Sequence, residues 1–281
     1  QEPHFSTKLR DIGFDPYSEN SFRKSIEKPY GMIIVTGPTG SGKSTTLFSA
    51  LKTVMDPTLN VITVEDPVEY FIDGARQVKL NPKLDFDGAL RAILRHDPDI
   101  VMVGEIRDKI TAELGIKLAN TGHLTFATLH TNDAVSAIAR LYKMGVEPFL
   151  IAYTMNIVLA QRLIRKLCER CKKPATDIEK EPFLKHGLSE EVVKNATLFR
   201  PVGCNNCLKG FKGRMPIFEA LYFNKAIRHL ILEADKNIDE ASIREQGLKD
   251  GMQTLRQSGL LAVAKGITTL EEVAGVTVED D

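Results

Sequence analysis

Gly37, Pro38, Thr39, Gly40, Ser41, Gly42, Lys43 and Ser44 match the pattern G-x-x-x-x-G-K-[ST] in full. A run of this kind suits phosphate binding. Its glycines let backbone N–H groups wrap phosphate oxygens without Cβ clashes. A helix starting at Lys43 adds its positive end. The Lys43 ammonium can reach β- and γ-phosphates, the Ser44 hydroxyl can ligate Mg²⁺, and Thr45 completes the expected ATP/ADP-binding run. The bland alternative is a glycine-rich turn with a chance match. The apolar run before it and the helical pattern after it supply the context that such a motif requires.

Two acidic segments complement this loop. The apolar run Ile100–Val103 ends in Gly104 and Glu105. A P-loop enzyme completes its Mg²⁺ shell at such a strand end, commonly with Asp. Gly104 stands where that Asp would be, so the metal role falls on Glu105, directly or through water; the alternative is a salt bridge with Arg107. A second strand-like run, residues 61–64, is followed by Glu65, Asp66 and Glu69. Hydrolysis needs a group to orient or deprotonate water. Glu69 is the first choice and Glu65 or Asp66 the second, against the plain alternative of a solvated acidic turn. His123 and His130 flank the run Leu124–Leu129. His130 falls on the same edge and could sense a γ-phosphate, although a lone histidine at a strand end is more often structural. Arg76, Arg91 and Arg95 lie around the acidic segments and are candidates for reaching a neighbouring subunit's phosphates.

The four cysteines form two C-x₂-C pairs, Cys168 with Cys171 and Cys204 with Cys207, and 32 residues separate the pairs. Four thiolates suit tetrahedral Zn²⁺, and a site with four protein ligands leaves no position for substrate, so the expected role is structural. Zinc would clamp a lysine-rich lobe that shows no evident core of its own. A redox pair is the rival reading, and two disulfides are a weaker one. Lys166, Arg170, Lys172 and Lys173 crowd the first pair, so the lobe could meet nucleic acid or a protein.

These residues must be positioned by alternating elements. Short apolar runs at residues 32–35, 61–64, 100–103 and 124–129 alternate with helical patterns at 86–94 and 109–119. This predicts a parallel sheet covered on both faces. Asn132 is the expected N-cap of a helix running to Met144. Residues 1–28 read as helical but interrupted at Pro16 and Pro29. They are expected to be a truncated linker, before an ATPase core at 29–166, a zinc lobe at 167–215 and a mainly helical C-terminal lobe at 216–281. A strand-like run at 217–223 opens that last lobe. Ile243, Leu248, Leu255 and Leu260 are its candidate core. Its final helix has the capping-box spacing at Thr268 with Glu271 or Thr269 with Glu272, and Glu279, Asp280 and Asp281 form a frayed acidic end.

Composition agrees with a globular chain of 281 residues with 43% hydrophobic and 26% charged residues. Lysine plus arginine equals aspartate plus glutamate at 37 each, so no global charge draws the chain to nucleic acid or an anionic membrane. No apolar run is long enough to span a bilayer, no signal peptide is evident, and cysteine usage points to the cytosol. The chain opens at Gln1 rather than Met, which suggests a piece of a longer protein.

Together these motifs resemble the type II/type IV secretion ATPase family, in particular its pilus-extension and type II secretion members. The matching stretches are residues 37–46, 64–70 (the family's Asp box), 94–108, 121–134 (its His box) and 203–207 with Gly213 and Arg214. The resemblance spans the chain from about Leu9 to Thr277. It implies a RecA-like core, usually in a hexameric ring acting on an inner-membrane platform protein. It also implies that Gly104 followed by Glu105 is normal for the family's metal strand and that Glu69 activates water. The protein would be peripheral to the membrane through partners, without inserting. Pilus-retraction relatives generally lack the four cysteines, which favours an assembly motor. Members carry a further domain before this core that supplies arginines to the nucleotide. With only some thirty residues before the P-loop strand, this chain is expected to bind nucleotide better than it turns it over. The alternative is a nucleic-acid-binding RecA-like ATPase; a neutral charge and the absence of Trp stand against it.

Overall fold

The computed structural model describes residues 8–177, 181–234 and 237–277. After a 3-10 turn at Leu9–Asp11 come α1 (Pro16–Ile26), β1 (Gly31–Thr36), α2 (Lys43–Val54), β2 (Val61–Glu65), β3 (Ala75–Lys79) and α3 (Phe86–Ile93). Next are β4 (Ile100–Val103), α4 (Lys109–Asn120), β5 (Leu124–Leu129), α5 (Ala134–Lys143) and α6 (Pro148–Thr154). β6 (Met155–Leu167) leads into a lobe with β7 (Lys173–Pro174), α7 (Glu181–Lys185), α8 (Glu190–Asn195) and β8 (Phe199–Arg200). β9 (Phe211–Tyr222) returns to the core, followed by α9 (Lys225–Leu232), α10 (Glu240–Lys249), α11 (Leu255–Ala264) and α12 (Leu270–Val276).

Among the described residues the main sheet has seven strands in the order β3-β2-β4-β5-β1-β6-β9. All pairings are parallel except that of β6 with β9. The apolar runs form central strands because both faces are covered. Side chains alternate across a strand, so Met32 and Ile34 of β1 join one core layer and Ile33 and Val35 join the other. β4 divides in the same way, Val101 and Val103 to one layer and Ile100 and Met102 to the other. Strands buried on both faces read as continuous apolar runs rather than alternating ones. Helices α3 to α6 cover the first layer, and α1 with α2 the second.

Local chemistry sets the helix starts. Pro16, expected as a break, instead opens α1 at its first turn, where a missing N–H costs nothing, and Asp15 accepts from Ser18 N at 3.0 Å. The cap of α5 is Asp133 rather than Asn132: Asp133 Oδ1 accepts from Ser136 N at 2.7 Å. The Asn132 oxygens are taken by Arg162. Thr269, not Thr268, caps α12 and accepts from Glu272 N at 3.4 Å. The strand expected at 217–223 begins earlier, at Phe211, because β9 follows β6 along its length.

Leu9, Phe22 and Ile26 of the segment before residue 28 are buried against the second layer, residue 28 lies in the turn between α1 and β1, and 216 lies inside β9. The lobe also has a core, but a shared one. Phe183, Leu188, Val193 and Leu198 pack on Leu260, Val263, Ala264 and Val273 of α11 and α12. Ile243, Leu255 and Leu260 are buried as expected, whereas Leu248 is 38% exposed, since α10 turns that residue outward. Glu279, Asp280 and Asp281 lie outside the described residues. No helix among the described residues is long and apolar enough to cross a membrane.

Candidate functional site

The loop between β1 and α2 takes its shape from glycine. Gly37, Gly40 and Gly42 have φ of 149°, 78° and 89°, a region that disfavours side chains. Space is closed as well. A Cβ on Gly37 would stand 2.4 Å from the Gln161 carbonyl oxygen, and one on Gly42 would stand 2.7 Å from Gln161 Nε2. Gln161 on β6 is the loop's anchor: its Nε2 donates to the Ser41 carbonyl at 2.8 Å, and its Oε1 accepts from Thr46 Oγ1 at 2.8 Å. A second tie joins the end of β1 to the segment after β5, where Thr36 Oγ1 and Thr131 Oγ1 lie 2.8 Å apart.

Above the loop is a cleft of about 440 Å³. Thr39, Gly40, Gly42, Lys43, Ser44 and Thr45 line one side, while Glu65, Asp66, Glu69, Gly104, Glu105 and His130 line the other. Gly37, Pro38 and Ser41 belong to the loop without lining the cleft; Gly37 and Ser41 are buried and Pro38 is exposed. Lys43 Nζ donates to the carbonyls of Gly37 at 2.8 Å and Pro38 at 3.0 Å. Burial pulls its pKa down, and the charges of Glu105 and Glu69 push it back up. Both carboxylates therefore act on the ammonium that the loop presents. Ser41 Oγ is buried with no hydrogen-bond partner among the described residues, a spare polar group in the loop.

Glu105 is gripped twice. Arg107 Nε donates to its Oε2 at 2.5 Å, and His130 Nε2 stands 3.2 Å from its Oε1. The salt bridge weighed for this strand end is thus present, and it lies inside the cleft. Gly104 explains its own identity: its N–H donates to the Val64 carbonyl at 2.8 Å, and a Cβ there would stand 3.0 Å from the same oxygen. A side chain there would crowd the backbone of the neighbouring strand, which would have to shift. Glu65 is 8% exposed and accepts from Thr63 Oγ1 at 2.7 Å and Gln77 Nε2 at 2.9 Å, so its carboxylate is held by neutral donors. Glu69 is exposed to the cleft, which suits it better for handling water. His123, by contrast, faces the backbone, with Nδ1 2.9 Å from the Leu118 carbonyl oxygen. Arg76, Arg91 and Arg95 are exposed and do not line this cleft; Arg91 pairs with Asp87 at 2.6 Å.

Beneath the His130 segment lies a buried carboxylate that the sequence reading missed. Glu219 on β9 accepts from Ala134 N at 2.9 Å and Leu255 N at 3.2 Å, the first residues of α5 and α11. Burial and the Asp133 charge push its pKa up to about 7, against the pull of the two N–H groups and Arg244. Gln161 and Arg162 were missed too. Their only signal was a polar pair interrupting the apolar run of β6.

The four cysteines converge. All four sulfurs lie within 4.8 Å of one another. Cys168 to Cys204 is 3.9 Å, Cys171 to Cys207 3.7 Å and Cys204 to Cys207 3.6 Å. Ligands at about 2.3 Å from a tetrahedral ion would stand about 3.8 Å apart, so the spacing fits zinc. It is far from the bonded sulfur distance of about 2.05 Å. The Gly203 N–H points to Cys171 Sγ at 3.4 Å and the Cys204 N–H to Cys207 Sγ at 3.2 Å, contacts that favour thiolates.

Comparison with known proteins now decides the lineage. The profile of the family described as "Type II/IV secretion system protein" matches residues 1–275. The chain belongs to the type II/IV secretion system protein family. Among curated members it is 44% identical over 275 residues to the type IV pilus assembly ATPase PilB of Myxococcus xanthus, covering 97% of this chain and 48% of that protein. Identity is 50% over 275 residues with PilB of Thermus thermophilus, covering 97% of this chain and 30% of the relative. It is 46% over 276 residues with the type II secretion system ATPase E of Vibrio cholerae, covering 96% and 53%. The chain therefore spans about half, or less, of the length of these relatives. Among solved structures, the pilus retraction motor PilT with bound ADP aligns at a TM-score of 0.73 and 28% identity, over 99% of this chain and 68% of that one. The Legionella pneumophila ATPase DotB shares the fold, with a TM-score of 0.70 and 22% identity over 95% and 64%. Within this secretion family frame, the cleft occupies the edge of the sheet where parallel α/β folds bind ligands.

Proposed function

We propose that this chain is the nucleotide-hydrolysing core of a motor that powers assembly of a type IV pilus or a type II secretion pseudopilus. The observation that carries this reading is the cleft itself. Lys43 of a P-loop lies within electrostatic reach of two carboxylates of different character, one clamped (Glu105) and one exposed (Glu69). Membership of the secretion family and identities of 44–50% to two PilB proteins support it.

In this reading, the N–H groups of residues 39–45 cradle the phosphates, and Lys43 leaves the loop carbonyls for the β- and γ-phosphates. Ser44 and Glu105 would hold Mg²⁺, which when bound would neutralise phosphate charge. Glu69 orients or deprotonates the attacking water. His130 reads the state of Glu105 through their contact. Arg76, Arg91 and Arg95 are exposed and do not line their own cleft, so a neighbour's cleft in a ring is where they would act, Arg91 by exchanging its pairing with Asp87. The four sulfurs hold structural zinc. The ring works in the cytoplasm against an inner-membrane platform protein, without nucleic acid and without inserting in the bilayer.

Steady-state Mg·ATP turnover over a range of protein concentrations tests this, comparing the chain with Glu69→Gln. A rate that rises faster than linearly and falls about 10²-fold or more in the variant supports a subunit-shared site with Glu69 acting on water. A linear rate untouched by the variant overturns the assignment of Glu69 and the shared site.

A further inference from the structure

Arg162 is the only arginine among the described residues that is buried, at 8% exposure. It follows Gln161 on β6 and touches three separate parts of the molecule. Nη2 donates to the Asn132 carbonyl at 3.0 Å, in the segment that follows His130. Nε donates to the carbonyl of Val276, the last residue of α12, at 3.2 Å. Nη1 lies 3.2 Å from where a Cβ on Gly37, the first P-loop glycine, would stand.

Its hydrogen bonds among the described residues go to neutral oxygens. Asp133 and Glu219 act on it only at longer range, and burial lowers its pKa. A buried guanidinium held this way is costly, because its desolvation is not offset by a carboxylate in contact. A like charge stands nearby as well: Lys43 Nζ is bonded to the Gly37 carbonyl at 2.8 Å, beside the residue that Arg162 Nη1 approaches, and the guanidinium lowers the Lys43 pKa. Two sources of negative potential can relieve it. One is permanent: the C-terminal carbonyl end of α12. The other arrives with nucleotide, whose phosphates are the anions the P-loop is shaped to hold.

We infer that Arg162 is a positioning residue that links phosphate occupancy of the P-loop to the seating of α12. Phosphate at Lys43 relieves the repulsion between the two cations, so the guanidinium keeps its bonds to Val276 and Asn132 at lower cost. Linkage makes the effect reciprocal: a firmly seated α12 strengthens phosphate binding. The path continues outward. Arg165, three residues along β6, grips Glu272 of α12, with Nε donating at 2.9 Å, and Val273 of α12 packs in the core of the cysteine lobe. The inference rests on the nucleotide reading of the cleft.

Hydrogen exchange over residues 267–277, with Mg·ADP affinity, tests it on the full chain. In the wild type, saturating Mg·ADP is expected to slow exchange of α12 about fivefold or more, while adenosine, which lacks phosphates, leaves it unchanged. Arg162→Met should abolish that slowing while the loop peptide at 37–46 stays protected by Mg·ADP. Glu272→Gln loosens α12 from the other end and should weaken Mg·ADP binding, with no further loss in the Arg162→Met background. Equal slowing in wild type and Arg162→Met overturns the inference, as do losses from the two variants that simply add. Should Arg162→Met not fold, unchanged affinity in Glu272→Gln overturns it alone. A wild type that binds no Mg·ADP instead refutes the nucleotide reading, a separate failure.

Discussion

The P-loop cleft and the cysteine lobe are attached to the same strand, β6, at Gln161 and just beyond Leu167, yet different forces shape them. The P-loop rests on a sheet whose central strands are buried on both faces, and its curvature comes from glycines and Gln161. The lobe has two two-residue strands, two short helices and a small apolar cluster borrowed from α11 and α12. Its remaining order comes from sulfur. The contrast sets a region held by its sheet against one whose four converging sulfurs, spaced as metal ligands are, supply the cross-links that its small shared core does not.

Metal removal should break the comparison most visibly. Structural zinc contributes on the order of 10 kcal/mol to the fold of a small site. Chelation, or Cys171→Ser, is expected to release about one zinc per chain and expose residues 172–203 to protease. The sheet should remain folded, with Mg·ADP affinity changed by less than about fivefold. Loss of the whole fold would show that the two regions are not separable. Lys43→Ala is the converse. Turnover should fall about 10²- to 10³-fold, with the melting temperature within about 2 °C of wild type.

Glu219 lies at the seam, and its titration sharpens the comparison. Its carboxyl, at 4.5 in its unperturbed state, is pushed up to about 7 by burial. Between those values the folded chain holds a proton that the unfolded chain has released. This contribution to stability is therefore full below about pH 4.5 and is lost as pH rises through about 7. The stability of wild type relative to Glu219→Gln should be greater at pH 5 than at pH 8, by about 3 kcal/mol at most, as read by denaturant melts. The smallest effect expected is local. Thr254 and Gln257 form a reciprocal cap on α11, at 3.0 Å and 3.2 Å, and Thr254→Ala should cost about 1 kcal/mol, or about 2 °C in melting temperature.

Much of the cleft was legible because its residues are contiguous. Residues 37–45 carry their chemistry in one run, and the two acidic segments end apolar runs, which marks them as the same edge of a parallel sheet. Gly104 was harder, since its reason is the approach of Val64 on another strand. Gln161, Arg162 and Glu219 were illegible for the same cause. Gln161 and Arg162 are a polar pair and Glu219 a lone carboxylate among apolar neighbours, and the role of each depends on partners 30 to 120 residues away. β3 was hidden by composition, as an edge strand with Arg76, Gln77 and Lys79 lacks the apolar run that betrays a central one. Leu248 was misplaced because helical spacing alone does not say which face of α10 is inward.

β6 and β9 run antiparallel side by side, and their last paired residues are Leu167 and Phe211. The lobe between them is thus an insertion into what would otherwise be a plain hairpin. Its entry and exit are adjacent, so a short turn could replace residues 168–210 without stretching either strand. A module exchanged for the lobe would need only to cover the apolar face that α11 and α12 present to it, Leu260, Val263, Ala264 and Val273. The strand register that sets Gln161 against the P-loop would pass through the exchange unaltered.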